Sequence, residues 1–194
     1  MTKWLVLLLG ASHCLWGQSI SWGLRAGTPL NDAYQIATSG SPIGFRSIPK
    51  HFTIGPTLEV RLPLKLAVSI DALYRKLEYQ STAGSVTTNR SSSQWEFPLL
   101  LKYRFGDGKV RPFVAAGPTF NRITGLAIDN PVEFVKNSAA GIVFAGGVEL
   151  KAPVIRITPE LRFTHWGSEN FSHPVNALLK SNLNQAVFLV GITF

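Results

Sequence analysis

The chain of 194 residues is poor in charge. Asp, Glu, Lys and Arg make up 15% of it, against about 25% in an average soluble protein. It holds one cysteine, Cys14. No apolar run approaches the roughly 20 residues of a membrane-spanning helix. No segment after the first 17 residues keeps a helical period, and Ala, Glu, Lys, Leu and Arg do not dominate, so a coiled coil is excluded. Low charge beside 45% apolar residues excludes disorder as well. What the chain does have is 17 glycines, 12 prolines and 11% aromatic residues. That mixture belongs to strands and turns.

The formal charge is +8, from 19 Lys and Arg against 11 Asp and Glu. An excess of this kind raises the question of nucleic acid. Here the basic residues are scattered singly, with neither a basic run nor a helix to carry a stripe. A solvated or anionic-lipid-facing surface accounts for them, and no nucleic-acid partner is expected.

Residues 1–17, MTKWLVLLLGASHCLWG, have the order of a secretory signal peptide: Lys3, then an apolar core from Trp4 to Leu9, then small residues. Cleavage after Gly17 leaves a mature domain of residues 18–194 without cysteine. A disulfide framework, thiol catalysis and a cysteine metal site are then all excluded. Lipidation at Cys14 is not expected, because His13 precedes it and Ala11 stands three before it.

The body of the chain alternates with period two. Trp22, Leu24 and Ala26 oppose Ser21, Gly23 and Arg25. Phe52, Ile54, Leu58, Val60 and Leu62 oppose Thr53, Gly55, Thr57, Glu59 and Arg61. Leu66, Val68, Ile70, Ala72 and Tyr74 oppose Ala67, Ser69, Asp71, Leu73 and Arg75. Trp95, Phe97, Leu99, Leu101, Tyr103 and Phe105 oppose Glu96, Pro98, Leu100, Lys102 and Arg104. Residues 110–122 are strand-like with ambiguous facing. Val114, Ala116 and Phe120 are preferred on the apolar side. Ile142, Phe144, Val148 and Leu150 oppose Gly141, Ala145, Gly147 and Glu149. Ile155, Ile157, Leu161 and Phe163 oppose Arg156, Thr158, Glu160 and Arg162. Ala186, Phe188, Val190, Ile192 and Phe194 end the chain. This gives eight strands of about ten residues, the length that crosses a bilayer when tilted.

Connections alternate too. Tight turns at 63–65, 106–109 and 151–153 alternate with long polar loops at roughly 28–50, 78–93, 123–138 and 167–184. That is the layout of an all-β, eight-stranded, antiparallel up-and-down transmembrane barrel, with short turns on the periplasmic side. An even strand count places both termini there. Pro56, Pro98, Pro118 and Pro159 fall inside strands, where proline cannot donate to a ladder. They are expected to mark rims or bulges.

Period two leaves open which face is outside, and a secreted lipocalin-like binder would turn the apolar face inward. Four features favour the membrane arrangement. The polar face is rich in small residues, as a narrow lumen requires. Its charges come in opposite signs, as buried charges must: Glu59 with Arg61, Asp71 with Arg75, Glu96 with Lys102 and Arg104, Glu160 with Arg156 and Arg162, and Glu149 on the same face. Aromatic residues stand near strand ends, as in a girdle. The chain ends on Phe194 after alternating apolar residues.

NQAVFLVGITF (Asn184–Phe194) resembles the terminal signature of bacterial outer-membrane proteins. RITPELRF (156–163) and RPFVAAG (111–117) resemble segments of the small outer-membrane β-barrel domain family, broadly of the OmpA and OmpX type. The resemblance spans roughly residues 18–194. It implies an integral, monomeric outer-membrane protein with a structural or surface-interaction role and no cofactor. It implies lipid and lipopolysaccharide as surroundings. It also implies that the barrel-assembly machinery reads Phe188, Val190, Ile192 and Phe194.

One constellation invites catalysis: His165, Ser168 and Glu169. Lipid A deacylases are eight-stranded barrels with a His, a Ser and an acidic residue at the outer rim, so a lipid A-modifying hydrolase is the alternative reading. Those enzymes space His and Ser by two, on one strand face. The spacing here is three, across Gly167, so a polar strand end entering a loop is the expected reading and no enzyme is expected. His51, His165 and His173 lack metal-ligand spacing. The segment Ser81–Gln94 is expected to be a flexible loop without a recognition motif. Eight strands leave a lumen filled by side chains, so no open pore is expected.

Overall fold

A computed structural model describes residues 20–36, 43–48, 52–83, 86–124, 138–168 and 179–194. The segment 1–17, expected to be a signal peptide, lies outside the described residues together with Cys14.

The strands are β1 (Ile20–Pro29), β2 (Tyr34–Ile36), β3 (Ile43–Ile48), β4 (Thr53–Arg61), β5 (Leu66–Asp71), β6 (Leu73–Ala83), β7 (Val86–Arg104), β8 (Val110–Thr124), β9 (Ser138–Lys151), β10 (Arg156–Trp166), β11 (Leu179–Ser181) and β12 (Asn184–Thr193). Eight paths form a closed antiparallel wall: β1, β4, β5 continued by β6, β7, β8, β9, β10 and β12. Closure comes from β1, which pairs with β4 on one side and β12 on the other. No sheet edge is left within the wall, which is what hydrocarbon requires of a β-structure.

The expected facing holds throughout. Along β1 the exposure alternates, with Trp22 65% and Leu24 58% exposed on the outside and Arg25 2% exposed on the inside. On β10, Leu161 is 52% exposed and its neighbour Arg162 1%. The ambiguous stretch resolves as preferred: Val114 and Phe120 face out, Ala115 and Thr119 face in. The apolar face is therefore outside, opposite to a lipocalin-like barrel.

Aromatic side chains gather at both ends of the outer face. Trp22 meets Phe194 (ring centroids 5.3 Å) and Tyr103 meets Phe105 (5.1 Å) near the short turns. Tyr74, Trp95 and Phe97 form a run toward the long-loop end, with centroids 5.2 and 6.4 Å apart. The first short turn places Leu64 and Lys65 at positive φ. Lys65 then reaches Asp107 of the next turn at 2.9 Å, and that hydrogen bond holds the exposed ammonium above the usual lysine range. Gly106 takes φ 78°, a region that favours glycine.

Two expectations are corrected. Residues 78–93 are not a loop. β6 and β7 continue past the aromatic run as a hairpin, paired from Glu78 with Ser91 to Ala83 with Val86. Antiparallel pairing extends beyond the apolar zone because the backbone ladder needs no apolar side chains and Thr87 and Thr88 suit strands. β3 pairs with β6 along the same extension. The prolines mark neither rims nor bulges. Pairing is interrupted opposite Pro98, between Ile70–Leu99 and Leu73–Glu96, and resumes with the same offset. The same holds at Pro118, between Pro98–Thr119 and Leu101–Ala116, and at Pro159, between Ile157–Leu150 and Glu160–Gly147. Opposite Pro56 the strand path divides into β5 and β6, yet the Pro56 carbonyl still accepts from the Ala72 amide at 3.1 Å. Each proline removes one donor without shifting register.

Candidate functional site

The lumen is packed in layers. Nearest the short turns lies an ion cluster drawn from β4, β7, β8 and β9. Glu59 accepts from Lys102 at 2.6 Å and from Arg104, with Arg61 at 3.9 Å. Glu149 accepts from Arg104 at 3.0 Å and from Arg111. The Lys102 ammonium stands 4.5 Å from the Phe113 ring centroid. Phe113 belongs to an apolar plug with Leu100, Ala115, Val143 and Ala145.

A second cluster lies farther in. Arg25 contacts Asp71 at 3.2 Å and Glu160 at 2.5 Å; Arg162 contacts the same two carboxylates, each at 2.5 Å. All four side chains are at most 2% exposed. Two cations and two anions cancel here, which is the condition for burying charge. Toward the long-loop end, Arg75 donates to Gln94 and to Gln185, both at 2.7 Å, bridging opposite walls. Glu96 accepts from Thr119 at 3.3 Å. A cavity of about 20 Å³ lies between Arg75, Glu96, Thr164 and Gln185, room for about one water molecule. Trp166, 2% exposed, lies at the same end of the wall.

The expected inward charges, Glu59, Arg61, Asp71, Arg75, Glu96, Lys102, Arg104, Glu149, Arg156, Glu160 and Arg162, all occupy inward positions of their strands. Their partners differ from those expected along one strand. Asp71 meets Arg25 and Arg162 rather than Arg75. Lys102 and Arg104 serve Glu59 and Glu149 rather than Glu96. Arg156 donates to the Ser21 hydroxyl at 2.8 Å instead of bridging Glu160. Of the same-strand pairs, Glu160 with Arg162 and the long Glu59–Arg61 contact are formed. The reason is distance. Same-face neighbours on one strand stand two rises apart, near 7 Å, whereas neighbouring strands lie about 5 Å apart and long side chains span a narrow lumen. Arg25 and Arg111 complete the network and were not singled out from sequence, although both occupy inward positions.

Residues 16–167 match the family described as outer membrane protein beta-barrel domain. The chain belongs to that family. Its place is accordingly the outer membrane. The fold resembles OprG from Pseudomonas aeruginosa, with TM-score 0.61, 11% identity and coverage of 91% of this chain and 93% of the other. It also resembles Neisserial surface protein A, with TM-score 0.56, 14% identity and coverage of 91% and 97%. No curated protein matches the chain.

Of the constellation that invited catalysis, only His165 and Ser168 are among the described residues. His165 points outward, and its Nδ1 bonds Asn184 Oδ1 at 2.7 Å. No hydrogen bond joins His165 to Ser168 among the described residues, and Glu169 lies outside them, as do His51 and His173. No group of three or more metal-ligating side chains occurs among the described residues. On β12 and the residue after it, Phe188, Ile192 and Phe194 face outward, 41%, 44% and 50% exposed, with Val190 on the same side.

Proposed function

We propose that this outer-membrane barrel is a closed, non-enzymatic, monomeric scaffold whose long-loop end faces the cell surface and whose two chain ends are periplasmic. The observation that carries this reading is the filled lumen. Two ion clusters and the Leu100–Phe113–Val143 plug occupy the cross-section that a pore would need. Both ends of the wall, at Ile20 and Thr193, lie beside the short turns. Short turns are periplasmic in barrels of this class. One structural neighbour is named a surface protein, and the extended β6–β7 hairpin is the element suited to surface contacts.

Lipid and lipopolysaccharide are the surroundings this outer face fits. Arg122 is exposed on it, paired in register with Trp95 on β7. A cation beside an aromatic band suits a phosphorylated headgroup. The outward row Phe188, Val190, Ile192 and Phe194 is the surface offered to the assembly machinery. The test is conductance. Purified protein reconstituted in planar bilayers is expected to give no steady unitary current, and stable single-channel steps would overturn the closed-scaffold reading.

A further inference from the structure

We propose that the short-turn mouth of the lumen is a binding site for a phosphate group, held by Arg61, Arg111 and Arg156. The argument starts from charge balance. The inner cluster of Arg25, Arg162, Asp71 and Glu160 is neutral. The mouth cluster is not. Arg61, Lys102, Arg104, Arg111 and Arg156 face two carboxylates, Glu59 and Glu149, and leave a surplus of three positive charges. Asp107, the other described carboxylate side chain at this end, is engaged by Lys65 at 2.9 Å. A surplus of one sign in a partly desolvated space is costly unless an anion enters it.

The second observation is hydrogen bonding. Arg61 Nε and Nη2 and Arg111 Nε are buried and have no hydrogen-bond partner in the protein. The two residues are not sealed in, with side chains 22% and 16% exposed. They are linked through the chain of contacts Arg61–Glu59–Arg104–Glu149–Arg111. Arg156 joins from the other wall through Ser21, whose residue pairs with Glu59. Unpartnered donor atoms on two guanidinium groups, Arg61 and Arg111, joined through shared carboxylates at one end of the lumen, suit the tetrahedral oxygens of phosphate. Lysine alone would offer a point charge without that fork. The group can come from free phosphate or from a phospholipid headgroup at the rim.

The experiment uses the full barrel in a detergent that carries no phosphate. Inorganic phosphate is titrated calorimetrically against chloride at matched ionic strength. Saturable binding of one phosphate is expected. The Arg61→Gln/Arg111→Gln double variant should weaken it by about tenfold or more, as loss of charge-assisted hydrogen bonds implies. Lys151→Gln, at the exposed rim, should leave it nearly unchanged. Folding of each variant is checked by its heat shift on gels. If the double variant does not fold, Arg111→Lys keeps the charge, removes the fork and should still weaken binding severalfold. Phosphate heat indistinguishable from chloride, or binding untouched by these substitutions, overturns the proposal. A second titration in phosphatidylcholine nanodiscs, with and without phosphatidic acid, separates the sources. Competition by phosphatidic acid assigns the site to a headgroup; its absence, with phosphate still bound, assigns it to free phosphate.

Discussion

Arg162 and Asp71 stand 91 positions apart in the chain and meet at 2.5 Å inside the barrel. Asp71 also receives Arg25 at 3.2 Å, so one carboxylate bridges two guanidinium groups from β1 and β10. Replacing it by Ala leaves Glu160 alone against both cations, with one buried positive charge uncompensated. Asp71→Ala is expected to cost about 3–5 kcal/mol in urea unfolding from lipid vesicles. The charge-neutral pair Asp71→Leu/Arg162→Met should cost less than the single change, because it removes both charges together. A cost below about 1 kcal/mol for Asp71→Ala would show that the cluster is not buried.

Depth across the bilayer is tested by arginine on the outer face. Leu161 sits in the middle of β10 and Val110 at the short-turn end of β8. Leu161→Arg should cost about 2–4 kcal/mol and Val110→Arg about 0–1 kcal/mol. Equal costs at both positions would contradict a lipid zone centred near Leu161.

The closing seam depends on two glycines. A Cβ at Gly23 would lie 1.9 Å from the Ile192 carbonyl oxygen, and one at Gly27 1.9 Å from that of Phe188. Backbone cannot yield as a flexible side chain does, so Gly27→Ala is expected to hold β1 away from β12. The measurement is the heat-shifted gel band, which Gly27→Ala should lose or reduce. Full retention of the band would mean that the strands approach less closely than this.

His165 provides a negative expectation. Its ring faces outward and bonds Asn184 at 2.7 Å rather than Ser168. Purified barrel in lipid A micelles should release no fatty acid. Release that depends on time and is abolished by His165→Ala would establish the hydrolase reading instead.

Much of the wall was legible because side-chain direction alternates strictly with position. Once Trp22 is outside, Arg25 is inside, and the same parity holds from β1 to β12. Turn lengths then ordered the strands. The ion partners were not legible, because parity tells which face a residue occupies but not its depth. Asp71 and Arg75 share a face, yet Asp71 joins β1 and β10 while Arg75 bridges Gln94 and Gln185. Depth is set by strand tilt and stagger, which only the closed barrel defines. The β6–β7 extension was hidden for a related reason. Outside hydrocarbon, a strand has no need of an apolar face, so period two fades while backbone pairing continues.

The most direct test of the central claim uses Leu161 and Arg162, neighbours on β10 with opposite directions. With Cys14, the chain's one cysteine, replaced by Ser, single cysteines at 161 and 162 can each carry a fluorophore in reconstituted protein. Brominated acyl chains should quench the label at 161 strongly and the label at 162 weakly, as 52% and 1% exposure at the two positions require. Equal quenching at both positions, or a label at 162 freely reached by aqueous iodide while the label at 161 ignores the lipid, would mean that the apolar face does not meet the membrane.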